Sequence, residues 1–139
     1  MDKEVKGWVE YAESDLGAAK LLYKNDSFPN IIIHHSHQAI EKILKGLLIN
    51  LDIKFPLIHD VNKLHSLLPQ NVQSELSIEA DDLSMFSNVY IGTKYPIHVI
   101  MMETGEPTME DAFEYLEKAE SIFNTVKEFI VKNNERPID

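Results

Sequence analysis

The stretch NIIIHHSHQAIEKILKGLLINL, from Asn30 to Leu51, decides the fold. Placed at about 100° per residue, Ile33, Ile40, Ile43, Leu44, Leu47 and Leu51 fall on one broad apolar arc. His34, Gln38, Glu41 and Lys45 gather within about 60° on the other side, with His37 beside them. The pattern predicts a long helix, apolar on one face and carrying a dense titratable stripe on the other.

Working outward, Val5, Trp8, Val9, Ala12, Leu16, Ala19, Leu22 and Tyr23 repeat at helical spacing and predict a first helix from about Lys3 to Lys24. Asp26-Ser27-Phe28-Pro29 breaks it. Asp26 or Ser27 is expected to cap the second helix, and Pro29 suits its first turn. Downstream, Asp60 is placed to cap a short helix holding Val61, Leu64, Leu67 and Leu68, which Pro69 ends. A further helix is expected from near Val72 to about Tyr90. The segment Ile91 to Pro107 contains Gly92, Pro96, Gly105 and Pro107 and reads as a long irregular connection. Thr108 with Asp111 three residues on forms a capping-box-like start to a last helix, which keeps its period to about Lys132. The tail 133–139 is polar and expected to fray. No segment alternates long enough for a strand, so the expectation is an all-α, up-and-down helical bundle of four to five helices, a single domain spanning 1–139.

Composition narrows the function. The 139 residues carry a net charge of −10, which excludes a protein that coats DNA through a basic face. A local cationic patch for RNA stays compatible with that balance. No cysteine is present, which removes disulfides, thiolate nucleophiles and zinc–thiolate sites. The opening MDKEVKGWVEYAESD has no signal-peptide pattern and no apolar run is long enough to span a membrane, so a cytoplasmic location is expected.

His34, His35, His37 and Glu41 raise the question of a metal site, since His34 to His37 and His37 to Glu41 are helical neighbours. An HxxH with a downstream Glu lacks the HExxH order of zinc hydrolases. The reading is a polar helix face with Glu41 and Lys45 as an i,i+4 pair, and no metal or cofactor is expected. His59 and Asp60 are adjacent, so Asp60 as a helix cap with His59 packed beside it is preferred to a catalytic dyad. No serine elbow or glycine-rich phosphate loop occurs. In TKYPIH, Lys94 offers a cation for phosphate, Tyr95 a stacking surface and His98 a proton donor or acceptor near neutral pH. Such a pair can cleave RNA without metal, the histidine moving protons and the cation holding phosphorane charge. The plainer reading is a loop locked by Tyr95 and Pro96 with Lys94 and His98 in solvent.

HQAIEKILKGLL, from His37 to Leu48, resembles the Gln-Ala-x-Glu-Lys-x-x-Lys helix of HEPN domains, helical bundles associated with nucleotides and RNA. Ala12, Asp15 and Leu16 resemble the core of the family's first helix. HDVNKLHSLL, from His59 to Leu68, is similar to its third segment, with Val61 in place of leucine. Tyr90 to Pro96 resembles its Arg/Lys-Tyr-Pro loop, and Pro107 to Ile122 its last helix. The resemblance covers nearly the whole chain. It implies a five-helix bundle that forms a homodimer and works beside a minimal nucleotidyltransferase in a toxin–antitoxin-type system. Matched by position, Gln38, Glu41, Lys42 and Lys45 belong to the family helix and Lys94, Tyr95 and Pro96 to its loop. Ribonuclease members carry an arginine followed four to six residues later by a histidine. Here the only arginine is Arg136, with no histidine after it, and Lys94 with His98 is the nearest substitute. Lysine lacks the planar two-pronged contact that arginine makes with phosphate. The implied function is therefore a nucleotide- or RNA-binding interaction module, its cleft lined by His34, His37, Gln38, Glu41, Lys45 and Tyr95. A metal-independent ribonuclease using Lys94 and His98, and a purely structural assembly protein, are the alternatives.

Overall fold

Six helices account for the described residues of the computed structural model, 1–94 and 106–135, with the backbone alone for 89–94. In chain order they are α1 (Lys3–Lys24), α2 (Pro29–Asn50), α3 (Val61–Ser66), α4 (Gln70–Leu76), α5 (Ala80–Lys94) and α6 (Met109–Glu135). No strand occurs among the described residues. The molecule is an all-α helical bundle, with one helix more than the sequence pattern suggested. Among the described residues no helix is long and apolar enough to cross a membrane.

The α2 helix is the centre. Thirteen of its residues are buried, and α1, α3, α5 and α6 all pack against it. Ile32, Ile33, Ile40, Ile43, Leu44, Leu47 and Leu48 lose all contact with solvent. Each such side chain stabilises the fold by about 1.5–3 kcal/mol, so truncating one of them to alanine costs about 2–5 kcal/mol. Val5, Val9, Ala12, Leu16 and Ala19 of α1 supply one wall, and Ala112, Leu116, Ala119, Phe123, Val126 and Ile130 of α6 another. This surround corrects the expected two-faced helix. His37, Glu41 and Lys45, read from the sequence as a polar face, are 0%, 4% and 6% exposed.

The stops are local chemistry. Asp26, at φ 53°, follows α1 in the left-handed region, its N–H bonding Tyr23 O while Ser27 N–H bonds Leu22 O. That is a Schellman closure. Asp52 at φ 58° closes α2 in the same way, through Asp52 N–H to Ile49 O and Ile53 N–H to Leu48 O. Asp26 and Ser27 therefore end the first helix rather than cap the second. The cap of α2 is Phe28, without a side-chain bond, and Pro29 occupies the first position as expected.

Asp60 caps α3 through the Asn62 amide at 2.9 Å, as its position suggested. The helix expected from Val72 to Tyr90 is two. Ser77, left-handed at φ 52°, stops α4, and the half-buried Ile78 turns into the core before α5 begins. The α5 helix continues to Lys94, so the first residues of the expected irregular connection are helical. Thr108 and Asp111 form a reciprocal capping box, Asp111 Oδ2 accepting from Thr108 N at 2.8 Å and Thr108 Oγ1 from Asp111 N at 3.1 Å. The α6 helix runs on to Glu135, so part of the tail expected to fray is helical, and Asn134 bonds the Ile130 carbonyl.

Candidate binding face on the central helix

Two carboxylates, one from α1 and one from α2, organise the polar residues of α2. Asp15 lies at the edge of the buried face of α1, beside Leu16. Its Oδ1 lies 2.8 Å from His35 Nδ1, and its Oδ2 accepts from Lys42 Nζ at 2.7 Å. His35 and Lys42 are two turns apart on α2, so one carboxylate ties two turns of one helix to its neighbour. Tyr11, one turn earlier on α1, has the Lys42 ammonium 5.9 Å from its ring centroid.

The second carboxylate is Glu41. Its Oε2 accepts from Lys45 Nζ at 3.1 Å, the i,i+4 pair read from the sequence, here buried inside the chain. His59, in the connection between α2 and α3, brings Nδ1 within 3.2 Å of Oε1 and 3.1 Å of Oε2. His59 thus reaches the carboxylate of α2. The Lys45 ammonium sits 5.8 Å from the Trp8 ring centroid and 6.0 Å from that of Phe55. Burying a charged pair is tolerable only when each member is so matched.

Around the helix Gln38 lies between the two clusters and His34 on the side of Glu41 and Lys45, both half-buried. Burial is the main cause that holds His34 below the ordinary histidine value, helped by the neighbouring charge of His35, whose ring lies 5.7 Å away. His37 is fully buried. Burial pushes its imidazole down to about 4, against the opposing pull of the Glu41 carboxylate. It is neutral at neutral pH and belongs to the interior of the site, not to its surface. Asp60 is held below the usual carboxylate range: burial opposes ionisation, and hydrogen bonds from Ser87 and the Asn62 and Lys63 amides outweigh it.

The structure thus brings Glu41 and Lys45 together with His37 beneath them, and leaves His34 and Gln38 half-accessible on the same stripe. His34, His37 and Glu41 do not form an ion site: among the described residues no group of three His, Asp or Glu side chains is placed to hold a metal. Lys94 is the last residue of α5, and the expected site residues Tyr95 and His98 lie outside the described residues. Sequence reasoning weighed His35 for a metal and His59 for a dyad and set both aside, and it passed over Asp15, Trp8, Tyr11 and Phe55 as site residues. The signal for Asp15 was available: a carboxylate beside Leu16 on a helix facing His35 and Lys42.

Chemically, the face holds two carboxylates against two ammoniums, with a ring nitrogen of His35 and of His59 at hydrogen-bond distance from the carboxylates. A lysine ammonium carries three donors, so one carboxylate contact does not exhaust it. The arrangement suits recognition of an anionic, hydrogen-bonding ligand by fixed donors. The one hydroxyl of α2, Ser36, is buried and donates to the Ile32 carbonyl at 2.8 Å, so it is not a nucleophile.

Residues 5–129 match the family model described as HEPN domain. A Methanocaldococcus jannaschii protein named "Putative toxin MJ1304" is 30% identical over 141 residues, which cover 92% of this chain and 89% of that one. The crystal structure of ST0689, described as an archaeal HEPN homologue, superposes with a TM-score of 0.66 at 28% identity, covering 94% of this chain and 99% of the other. TT1696 from Thermus thermophilus shares the fold with a TM-score of 0.69 at 20% identity, over 91% and 98% of the two chains.

Proposed function

The chain belongs to the HEPN family, and from this membership we infer that it is a nucleotide- or RNA-binding interaction module of a toxin-type system. It works as a homodimer with a minimal nucleotidyltransferase-type partner. One observation carries the reading. The charged residues of α2 that match the family helix, Glu41, Lys42 and Lys45, are each held by a partner, in two carboxylate-centred clusters that flank Gln38, with His34 on the Glu41–Lys45 side. Side chains already fixed by their neighbours lose little entropy when a ligand arrives, which favours binding. The name of the archaeal relative supports a toxin-type setting.

The test is equilibrium binding of the full chain to a fluorescein-labelled single-stranded RNA and to a fluorescent ATP analogue. Saturable binding is expected, weakened about tenfold by the His34→Ala/Gln38→Ala double variant, the scale of one or two polar contacts. Circular dichroism checks that the variant remains folded. Absence of binding to either probe overturns the reading and leaves a protein built only to assemble.

A further inference from the structure

Three aromatic rings line one edge of this face, and each has a lysine ammonium of α2 beside it. Trp8 and Tyr11 are one turn apart on α1 and so share a side of that helix. Lys45 links Trp8 to Phe55, and Lys42 stands against Tyr11. Trp8 has its seat because α2 has a glycine opposite: a Cβ on Gly46 would come within 3.1 Å of Trp8 Cβ. Tyr11 remains 66% exposed, and Leu57, two residues beyond Phe55, is 97% exposed. Core packing accounts for the inner parts of Trp8 and Phe55, which are half-buried, but not for Tyr11, left open to solvent beside the paired Lys42.

We propose that Trp8, Tyr11 and Phe55 are a base-stacking edge and that Lys42, the more exposed of the two ammoniums, meets the phosphate, so that the face takes an unpaired nucleobase with its phosphate. The proposal rests on the reading of the chain as a nucleotide- or RNA-binding module and names the side chains that read the base. A flat base stacks on any of the three rings, whereas bases inside a duplex have no free face to offer. The net charge of −10 points the same way. It opposes the many phosphate contacts of a duplex and tolerates the few of a nucleotide or a short unpaired strand.

Trp8 is the sole tryptophan of the chain, so its emission reports on this edge alone. The full chain is titrated with ATP, with a short oligoadenylate and with an abasic ribose-phosphate strand of equal length, while anisotropy of the labelled oligoadenylate follows binding. ATP or the oligoadenylate should quench Trp8 and the abasic strand should not. A strand that binds more tightly than ATP identifies unpaired RNA as the source of the base, and parity identifies a free nucleotide. Tyr11→Ala should weaken binding at least about fivefold, and Tyr11→Phe, which keeps the ring, should bind as the wild type does. Binding by anisotropy with unmoved Trp8 emission and a silent Tyr11→Ala overturns the stacking edge alone. Failure of every probe to bind overturns this inference together with the functional reading. Quenching by a basic peptide where no nucleotide quenches also overturns it, and makes the edge a protein contact.

Discussion

Acidification should destabilise this protein through His37, and the size of the effect follows from its burial. The imidazole is fully enclosed at the centre of α2, and its value is lowered from 6.5 to about 4, burial outweighing the carboxylates of Glu41 and Asp60 while His34 and His59 add to the depression. At pH 7 the ring is neutral in both folded and unfolded chains. As pH falls through 6.5 the unfolded chain takes up a proton that the fold refuses until about 4. Stability is therefore fully present above 6.5 and lost across the interval down to about 4, in total about 3 kcal/mol. Between pH 7 and pH 5 the loss attributable to this one group is about 2 kcal/mol. His34 and His65, also lowered mainly by burial, add loss of the same sign, so the comparison must be differential. Urea unfolding of wild type and His37→Leu at the two pH values isolates the contribution. The wild type should lose about 2 kcal/mol more than the variant, equivalent to about 7 °C in melting temperature for a chain of this size. Equal losses in the two proteins would refute the reasoning and place the imidazole in contact with water.

Three further predictions concern other positions, the first two from the geometry and the last from the sequence of the loop. Lys45→Met leaves the Glu41 carboxylate buried with His59 as its remaining partner, and should cost about 3 kcal/mol in urea unfolding. Adding Glu41→Gln should recover part of that loss, and a double variant less stable than Lys45→Met would contradict the pairing. Asp52→Gly relieves a left-handed residue at the end of α2 and should stabilise the fold by about 0.5–1 kcal/mol, read as a higher urea midpoint. Lys94→Ala should weaken a phosphate-bearing ligand while barely moving the melting temperature, and a large drop in melting would assign Lys94 to the fold.

The helices were legible where period and cap chemistry agreed. Pro29, Asp60 and the Thr108–Asp111 box hold the positions their types suggest, because each acts on backbone within its own turn. Asp26 misled because an aspartate shortly before a proline reads as a cap, whereas two Schellman bonds use it to close the preceding helix. The break at Ser77 was invisible for a similar reason: serine carries no strong signal for the left-handed region, and the burial of Ile78 decides the turn. The α2 stripe was legible as a pattern and misjudged as an environment. A wheel shows which residues share a side of a helix, but not that α1 and the 51–60 connection cover that side. Glu41 with Lys45 could be read from spacing alone. Asp15 with His35 and Lys42 required knowing how α1 lies against α2.

The most direct test of the account follows binding and cleavage in the same tubes. Labelled single-stranded RNA is incubated with the full chain in EDTA, its anisotropy is recorded, and its length is then read on a denaturing gel. The account predicts saturable binding with the RNA left intact. RNA that never binds would contradict the binding module. RNA cut by the wild type and spared by Lys94→Ala/His98→Ala would contradict a non-catalytic role and make the protein a metal-independent ribonuclease.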